Sequence, residues 1–255
     1  MKVAAASPGG GTERQLSSLD AHVRMRCDMS GRRSYWYYSG TVFGKPEGEL
    51  TEPMLAVEGI SFSTLERLPE GRYRYRLTEA GYYLDPNSRQ LEPDVVNPFT
   101  GQRYEPKHYL SSQTNILAPD LSVTPDVPRL PPGLEYRGVI TPLSIFKNTV
   151  WSSEDLFVRM PVPSAQDDKQ RPNFNTQTSL ATLVADRQQL FDRDRDDIEC
   201  QLHYQTLAGW KDWMNMGVAP GVISSRFTGT KCSRDDLPRA LVDRVADEHD
   251  GFFDA

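Results

Sequence analysis

The chain has 255 residues, of which 38% are hydrophobic and 25% charged, and its formal net charge is −6. These values are typical of a soluble globular protein, and the interspersed charges lack the long basic stripe of a nucleic-acid-binding surface. No apolar run approaches the roughly 20 residues of a membrane-spanning helix, and the apolar stretch at the N-terminus is too short for a secretory signal. Three widely spaced cysteines do not make a disulfide framework, so a reducing cytoplasm is expected.

The N-terminal part of the chain is predicted to contain a tail and one helix. Residues 1–13 are small and Gly-rich, which predicts disorder. Residues 14–29 carry apolar side chains at helical spacing, namely Leu16, Leu19, Val23 and Cys27. This spacing predicts a short helix, for which Ser17, Ser18 and Asp20 are candidate caps.

From residue 34 the pattern changes to that of strands. Residues 35–43 are rich in aromatic and β-branched side chains and run into a turn that contains Gly and Pro. Further strand-like stretches lie at 54–62, 72–84, 102–110, 134–140, 143–151, 156–162, 180–185, 198–206 and 222–227. Turn-forming sequences separate them and little helix intervenes, which favours an antiparallel barrel or sandwich over a parallel α/β sheet.

Two further segments complete the predicted architecture. Residues 237–245 form an amphipathic pattern preceded by the candidate caps Ser233 and Asp235, which predicts a closing helix. Residues 164–177 are polar and rich in Pro and Asn, which indicates a mobile loop, with a lid over a barrel mouth as one interpretation. The prediction is a single domain over residues 14–255, a lipocalin-like antiparallel β-barrel with short terminal helices.

Several short motifs, each present once, follow one another along the chain in a characteristic order. They are Tyr82-Tyr83-Leu-Asp85-Pro86, Asn97-Pro98-Phe-Thr100-Gly101, His108, the block from Trp210 to Gly217, Thr228-Gly-Thr-Lys231 and Leu237-Pro238. Over residues 17–245 the chain thereby resembles a bacterial and fungal family known only as domain of unknown function 1838. Val95 or Val96 stands where the resemblance leads us to expect a tryptophan. The resemblance implies a single domain and no established reaction.

The block over residues 210–217 has the densest aromatic and thioether content of the chain. Such side chains either fill a core or line an apolar pocket, because they bury large polarisable surfaces. As pocket walls, they make the predicted substrate-binding set, together with two tyrosines of the first strand and one arginine: Tyr35, Tyr37, Arg74, Trp210, Trp213, Met214 and Met216. Arg74 belongs to an alternating Arg-Tyr run that either holds an anionic group or pairs with acidic neighbours on an exposed face.

His108 is the first candidate for proton transfer. If residues 103–110 alternate as a regular strand, His108 shares the less charged and inward face with Tyr104 and Leu110. A histidine in that position suits general acid–base chemistry. The alternative is a core histidine bonded to a backbone carbonyl, and Pro106 introduces the chance of a bulge.

Three other polar residues are weighed as partners of His108. Glu79 lies among aromatic residues, where its pKa is either raised or held low by a salt bridge. Tyr83 and Tyr204 are candidate hydrogen-bond donors to a developing oxyanion. His203 follows Cys200 at a spacing that places the two on opposite faces of a strand, so a shared metal site is not predicted and His203 is read as a surface residue.

The sequence therefore favours an enzyme that needs neither cofactor nor metal, of the lyase, isomerase or cyclase type. Its substrate is expected to be a small, largely apolar molecule, with aromatic and polyketide-like compounds as examples. His108, Tyr83, Tyr204 and Glu79 are the predicted catalytic residues. The alternative is a non-catalytic binding or carrier protein with the same barrel, and a homodimer is left open as the assembly state.

Overall fold

The computed structural model describes residues 16–161, 174–217 and 219–254. The three helices in these ranges are α1 (Ser18–Arg26), α2 (Arg187–Phe191) and α3 (Arg239–Glu248). The strands are β1 (Ser34–Pro46), β2 (Glu52–Arg67), β3 (Tyr73–Leu84), β4 (Val95–Val96), β5 (Arg103–Tyr104), β6 (Tyr109–Leu117), β7 (Ser122–Pro125), β8 (Glu135–Ile140), β9 (Ser144–Phe146), β10 (Thr149–Pro161), β11 (Phe174–Asp186), β12 (Cys200–Ala208) and β13 (Gly221–Cys232).

Ten of these strands close into an antiparallel barrel. Their order is β11-β12-β13-β1-β2-β3-β6-β7-β8-β10, and β10 pairs back to β11 over its whole length, which closes the ring. β9 pairs with β10 outside the ring, and β4 and β5 form a separate two-stranded ribbon. The predicted antiparallel barrel with short terminal helices is confirmed. Because the ring is closed, each of its ten strands has a neighbouring strand on both sides. A barrel of more than about eight strands also leaves room inside for a ligand.

The barrel wall follows the strand pattern of the sequence in most places, but β7 (Ser122–Pro125) was not predicted and two other predictions differ from the structure. β10 is one continuous strand where two separate strands were predicted, at 143–151 and 156–162. The predicted strand at 102–110 is wrong: β5 ends at Tyr104 and a new strand, β6, begins at Tyr109. β6 has only polar residues at 111–115, so its hydrophobic pattern is weak, although it pairs with β3 along nine positions.

Helix α1 covers one end of the barrel. The Ser17 side chain accepts a hydrogen bond from the backbone of Asp20 and caps the helix at its first turn. Its fully buried residues Ala21 and Met25 pack against Trp36 and Leu183 of the wall. This end, which we call the floor, is thereby closed.

Helix α3 packs on the outside of the barrel. Leu241 and Val245 contact a cluster that includes Phe62 and Tyr82, whose side chains point away from the interior. The closing amphipathic helix predicted at 237–245 is thus present, shifted slightly toward the C-terminus. Among the residues that the structure describes, each helix is too short or too polar to span a bilayer.

Two expectations concern residues beyond these ranges. The tail at 1–13 lies wholly outside the described residues, and so does most of the loop at 164–177, whose last four residues belong to β11.

Candidate functional site

A cavity of about 540 Å³ lies inside the barrel, within the roughly 300–1,000 Å³ that is typical of small-molecule sites. Its wall is built from alternate residues of the strands, because successive side chains of a strand point to opposite faces. Apolar and polar residues are mixed on this wall, as they are in β1 (Trp36, Tyr38), β3 (Leu77, Glu79, Tyr83), β6 (Tyr109, Ser111, Gln113), β11 (Ser179, Ala181, Leu183), β12 (Leu202, Tyr204, Thr206) and β13 (Ile223, Ser225, Phe227).

The floor of the cavity carries a buried ion pair between α1 and β10. Arg26 Nη2 lies 3.1 Å from Glu154 Oε2, and Arg26 Nη1 donates to the Tyr75 hydroxyl at 3.1 Å. Burial disfavours ionised Glu154, but Arg26 and His22 together outweigh this effect and hold the pKa of the carboxyl below its usual range. The pair is therefore ionised at neutral pH, and the two charges compensate each other.

His22 completes the floor network behind this pair. His22 Nδ1 is hydrogen-bonded to Ser152 Oγ at 2.8 Å, and its Nε2 lies 3.4 Å from Glu154 Oε2. Burial lowers the pKa of His22, with a smaller contribution in the same direction from Arg26. The uncharged form of the imidazole is favoured as a result, and its Nε2 faces the Glu154 carboxylate without a close hydrogen bond.

Glu79 lies on β3, midway between the floor and the open end. In the described part of the chain its one hydrogen-bond donor is Ser111, whose Oγ lies 2.9 Å from Glu79 Oε1. Burial raises the pKa of Glu79, and the bond from Ser111 only partly opposes this shift. No cation is paired with Glu79 among the described residues, so this carboxyl group favours its neutral, proton-donating form.

Four tyrosine hydroxyls surround Glu79 in the upper half of the cavity. Tyr38 and Tyr109 are hydrogen-bonded to each other at 2.8 Å, and the Tyr38 hydroxyl also lies 3.2 Å from the Ala80 carbonyl. When Tyr38 gives its single proton to Tyr109, the Tyr109 proton is free to be donated to a ligand. Burial raises the pKa of both well above the usual range, and raises the pKa of Tyr83 and of Tyr204 to about 12. All four hydroxyls therefore keep their protons at neutral pH and are hydrogen-bond donors.

Two glycines make room for the Tyr38–Tyr109 pair. A Cβ at Gly59 would overlap the Tyr38 ring and hydroxyl, and a Cβ at Gly81 would overlap the Tyr109 ring. Gly59 and Gly81 are opposite each other in the β2–β3 pairing. The two rings thus lie across neighbouring strands at positions where any larger residue would displace them.

The open end of the cavity, which we call the mouth, is bordered by the segment that follows β12. Asn97 is fully buried; its Nδ2 donates to the Met214 carbonyl at 2.7 Å, while its Oδ1 accepts from the backbone of Phe99. Asn215 reverses the chain in the left-handed region with φ of 55°. These contacts place the Trp213 ring 5.4 Å from the Tyr83 ring, at the edge of the cavity.

The family model described as protein of unknown function (DUF1838) matches residues 31–255. The chain belongs to this family. No curated protein matches it. The matched range contains the mouth segment, the Asn97 loop and all ten strands of the barrel wall. The predicted family relationship is confirmed, and it assigns no reaction to the cavity of this DUF1838 protein.

The structure brings four of the sequence-predicted site residues together. Glu79, Tyr83, Tyr204 and Trp213 all line the cavity. Trp210, Met214 and Met216 do not line it, and they pack behind the mouth in a cluster that also includes the lining residues Tyr38 and Trp213. Trp210 Nε1 donates to the Ala219 carbonyl at 3.0 Å, so these three residues support the mouth segment and Trp213 alone reaches the interior.

The other three predicted binding residues lie on the outer face of the barrel. Tyr35 and Tyr37 pack against the cluster that holds α3. Arg74 pairs with Glu66 at 2.8 Å and Asp126 at 2.6 Å, which is the exposed pairing that was the alternative interpretation. None of these three residues lines the cavity, so the expectation that they form part of its wall is wrong.

The expected inward orientation of His108 is wrong. Residues 105–108 are not strand, so the alternation expected from Tyr104 onward is broken, and β6 begins with Tyr109 as the inward residue. His108 is exposed; its Nδ1 accepts a hydrogen bond from the Tyr83 backbone at 3.1 Å, and its ring lies 5.1 Å from the Tyr82 ring. His203 is exposed on the face opposite the buried Cys200, as predicted.

Several lining residues were missed by sequence reasoning. Tyr109 was missed because unbroken alternation over residues 103–110 assigns it to the face opposite His108. Ser111 was missed because the polar inner face of β6 does not look like the buried face of a strand. Arg26 and Glu154 are far apart in sequence, and nothing local indicates that they meet. In the described ranges, no group of His, Cys, Asp and Glu side chains could hold a metal ion.

Proposed function

We propose that this protein is an enzyme that transfers a proton to or from a small molecule held inside the barrel, without a cofactor. The substrate is largely apolar and carries a carbonyl or hydroxyl group, and the reaction is of the isomerase, lyase or cyclase type. Glu79 is the proton-transfer group, in the place first given to His108. Tyr109, Tyr83 and Tyr204 are the hydrogen-bond donors.

The observation that carries the proposal is the environment of Glu79. A carboxyl group that is buried, faces a cavity and lacks a cationic partner costs free energy in a purely structural role. Burial raises its pKa toward the operating pH, where a general acid or base is most effective. By contrast, the other buried carboxylate of the cavity, Glu154, has Arg26 as its cationic partner.

The tyrosines supply the second requirement of such chemistry. When a proton is removed beside a carbonyl group, negative charge develops on the carbonyl oxygen, and fixed hydroxyl donors in a cavity of low polarity stabilise it. Tyr109 is held by Tyr38, and Gly81 allows its ring to lie against β3. A donor whose position is fixed before the substrate binds loses little entropy in the reaction.

A carrier with the same barrel would bind a ligand and release it unchanged. A carrier gains nothing from a buried carboxyl group that lacks a cationic partner. If every titratable group in the cavity were paired, that observation would favour the carrier. The unpaired state of Glu79 among the described residues favours the enzyme instead. The three cysteines, all free, are in keeping with a reducing compartment such as the cytoplasm, which we retain as part of the proposal.

The test uses Glu79→Gln, which keeps an acceptor for Ser111 but cannot transfer a proton. Purified wild type and variant are incubated with an extract of small molecules from the producing cells, and compounds whose abundance changes with time are followed by liquid chromatography and mass spectrometry, in which isomers differ in retention time and fragments in mass. Wild type is expected to convert at least one compound to an isomer or a fragment. The rate of this conversion by the variant is expected to be lower by a factor of about 100 or more.

Glu52→Gln is the matched control, since Glu52 is exposed on β2 and does not line the cavity. It should convert the same compound at the wild-type rate. Equal rates for wild type and Glu79→Gln would refute the assignment of Glu79. A compound that is retained by wild type and recovered chemically unchanged would establish the carrier.

A further inference from the structure

We infer that the ligand of the cavity is an amphipathic acid, whose anionic group lies between Lys107 and Lys211 at the mouth while its uncharged body fills the barrel. This inference rests on the proposed function only in taking the cavity as the ligand site. The anionic group is a carboxylate, sulfonate or phosphate, which share the negative charge and the acceptor oxygens that an ammonium group recognises.

The two lysines line the same cavity as a row of three aromatic rings. The Tyr83 ring contacts both the Tyr109 ring, at 5.7 Å, and the Trp213 ring, at 5.4 Å. Lys107 is two residues before Tyr109, and Lys211 is two residues before Trp213. Both lysines line the same cavity as these rings, so the fold brings two cations from distant parts of the chain to one rim.

The charges of the remaining lining residues leave these two cations uncompensated. Arg26 and Glu154 neutralise each other on the floor, and burial raises the pKa of Glu79, which opposes the negative charge that this carboxyl group would carry in water. Neither lysine lies within ion-pair distance of a carboxylate in the part of the chain that the structure describes. Asp212, next to Lys211 in sequence, does not line the cavity.

The interior disfavours a second negative charge on the ligand. Trp36, Leu183, Leu202 and Phe227 supply apolar surface, and apart from Glu79 and the paired Arg26 and Glu154 the polar groups between them are hydroxyls and amides. A further anionic group deep in the barrel would lose its hydration without a free cation to pair with, which costs several kcal/mol. The occupant therefore carries its negative charge at the mouth and reaches toward Glu79 with the rest of its body.

The test compares two fluorescent probes with similar aromatic bodies, anilinonaphthalene sulfonate, which is an anion, and phenylnaphthylamine, which is neutral. Each is titrated into wild type, Lys107→Gln, Lys211→Gln and the double variant. Lys45→Gln is the control, because Lys45 is exposed on β1 and does not line the cavity. Circular dichroism verifies that every variant is folded.

Each single lysine variant is expected to bind the sulfonate about two- to fivefold more weakly, and the double variant about tenfold, because exposed charge pairs contribute this much. Binding of the neutral probe should change by less than about twofold. Raising the salt concentration should weaken sulfonate binding to wild type and leave the double variant unaffected. Displacement by octanoate, octyl phosphate and octanol then identifies which anionic group competes best.

Equal sulfonate affinity in wild type and double variant, or an equal loss of both probes, would overturn the inference. So would displacement by octanol as strong as that by octanoate and octyl phosphate. These outcomes leave the proposed function standing, since that is judged by turnover in Glu79→Gln. Loss of turnover in Glu79→Gln alongside charge-independent probe binding would separate the two clearly.

Discussion

Removal of the buried carboxylate on the floor should destabilise the protein strongly. In Glu154→Gln, Arg26 keeps its charge but loses the partner that lies 3.1 Å away, and only 12% of the Arg26 side chain and 6% of the Glu154 side chain are exposed. With so little exposed surface, Arg26 is left largely buried and without an anionic partner. His22 Nε2, 3.4 Å from the same oxygen, loses its partner as well.

The expected loss is about 3–5 kcal/mol in the free energy of unfolding, the range observed when one partner of a buried ion pair is removed. For domains of about this size each kcal/mol lowers the melting temperature by about 2–4 °C, so a decrease of about 6–20 °C is expected. A second substitution, Arg26→Met in the Glu154→Gln background, removes the uncompensated charge and should restore most of the loss.

The assay is urea denaturation followed by tryptophan fluorescence, for which Trp36 is a local reporter because its Nε1 donates to the Arg26 carbonyl at 3.3 Å. Glu135→Gln is the matched control. Glu135 pairs with Arg159 at 2.7 Å on neighbouring strands of the same wall, but 58% and 34% of the two side chains are exposed. Its removal should cost less than about 1 kcal/mol.

The pH dependence gives a second check on this reasoning. Because the folded state lowers the pKa of Glu154 below 4.5, the stability it contributes is present above that pH and is lost as the pH falls below it. The difference between wild type and Glu154→Gln should therefore shrink on acidification. A loss below about 1 kcal/mol at neutral pH, or a difference independent of pH, would refute the account of the floor.

Three further predictions follow from the cavity and its mouth. Burial raises the pKa of Glu79 above 4.5, so the stability that depends on its protonated form is present below pH 4.5 and is lost as the pH rises. In urea denaturation, the free energy of unfolding of Glu79→Gln should therefore exceed that of wild type at about pH 8 and equal it at about pH 4. Gly81→Ala should cost about 1–3 kcal/mol in the same assay, because the new methyl group displaces the Tyr109 ring. Asn97→Ala should cost about 2–4 kcal/mol through its lost hydrogen bonds and should shift the fluorescence of Trp213.

Each of these predictions has its own control. Glu52→Gln should show no such pH-dependent gain, and an equal gain in both variants would contradict the account of Glu79. Gly81→Ala should cost much less in a Tyr109→Leu background, and an unchanged cost would show that the ring is not responsible. Asn148→Ala, at an exposed asparagine, should stay within about 0.5 kcal/mol of wild type, and a similar loss there would remove the special role of Asn97.

Much of the architecture could be predicted from local pattern. The aromatic and β-branched residues of β1, and the turn sequences between strands, indicate an antiparallel β protein because strand formation depends on a short period that is visible in the sequence. The prominence of the Trp210–Gly217 block was also visible, and its Trp213 lines the cavity. Glu79 stood out as a carboxylate among aromatic residues, although a salt bridge was the alternative interpretation.

The orientation of residues near Tyr109 could not be predicted in the same way. Residues 103–110 look like one strand, but the chain leaves the extended pairing after Tyr104, and the register of β6 against β3 alone decides that Tyr109 faces inward and His108 outward. A register shift of one residue exchanges the two faces of a strand. The polar inner face of β6 also reverses the usual rule, because it lines a cavity and not a packed core.

By itself, then, the sequence determined the strand content, the terminal helices, the family and the side chains available for chemistry. Only the tertiary structure decided which of those side chains share the cavity. Arg26 meets Glu154 across more than a hundred residues of chain, and Asn97 holds the mouth segment across a similar separation. Barrel closure creates these contacts, because it depends on pairing between distant strands, which the local period of any one strand does not encode.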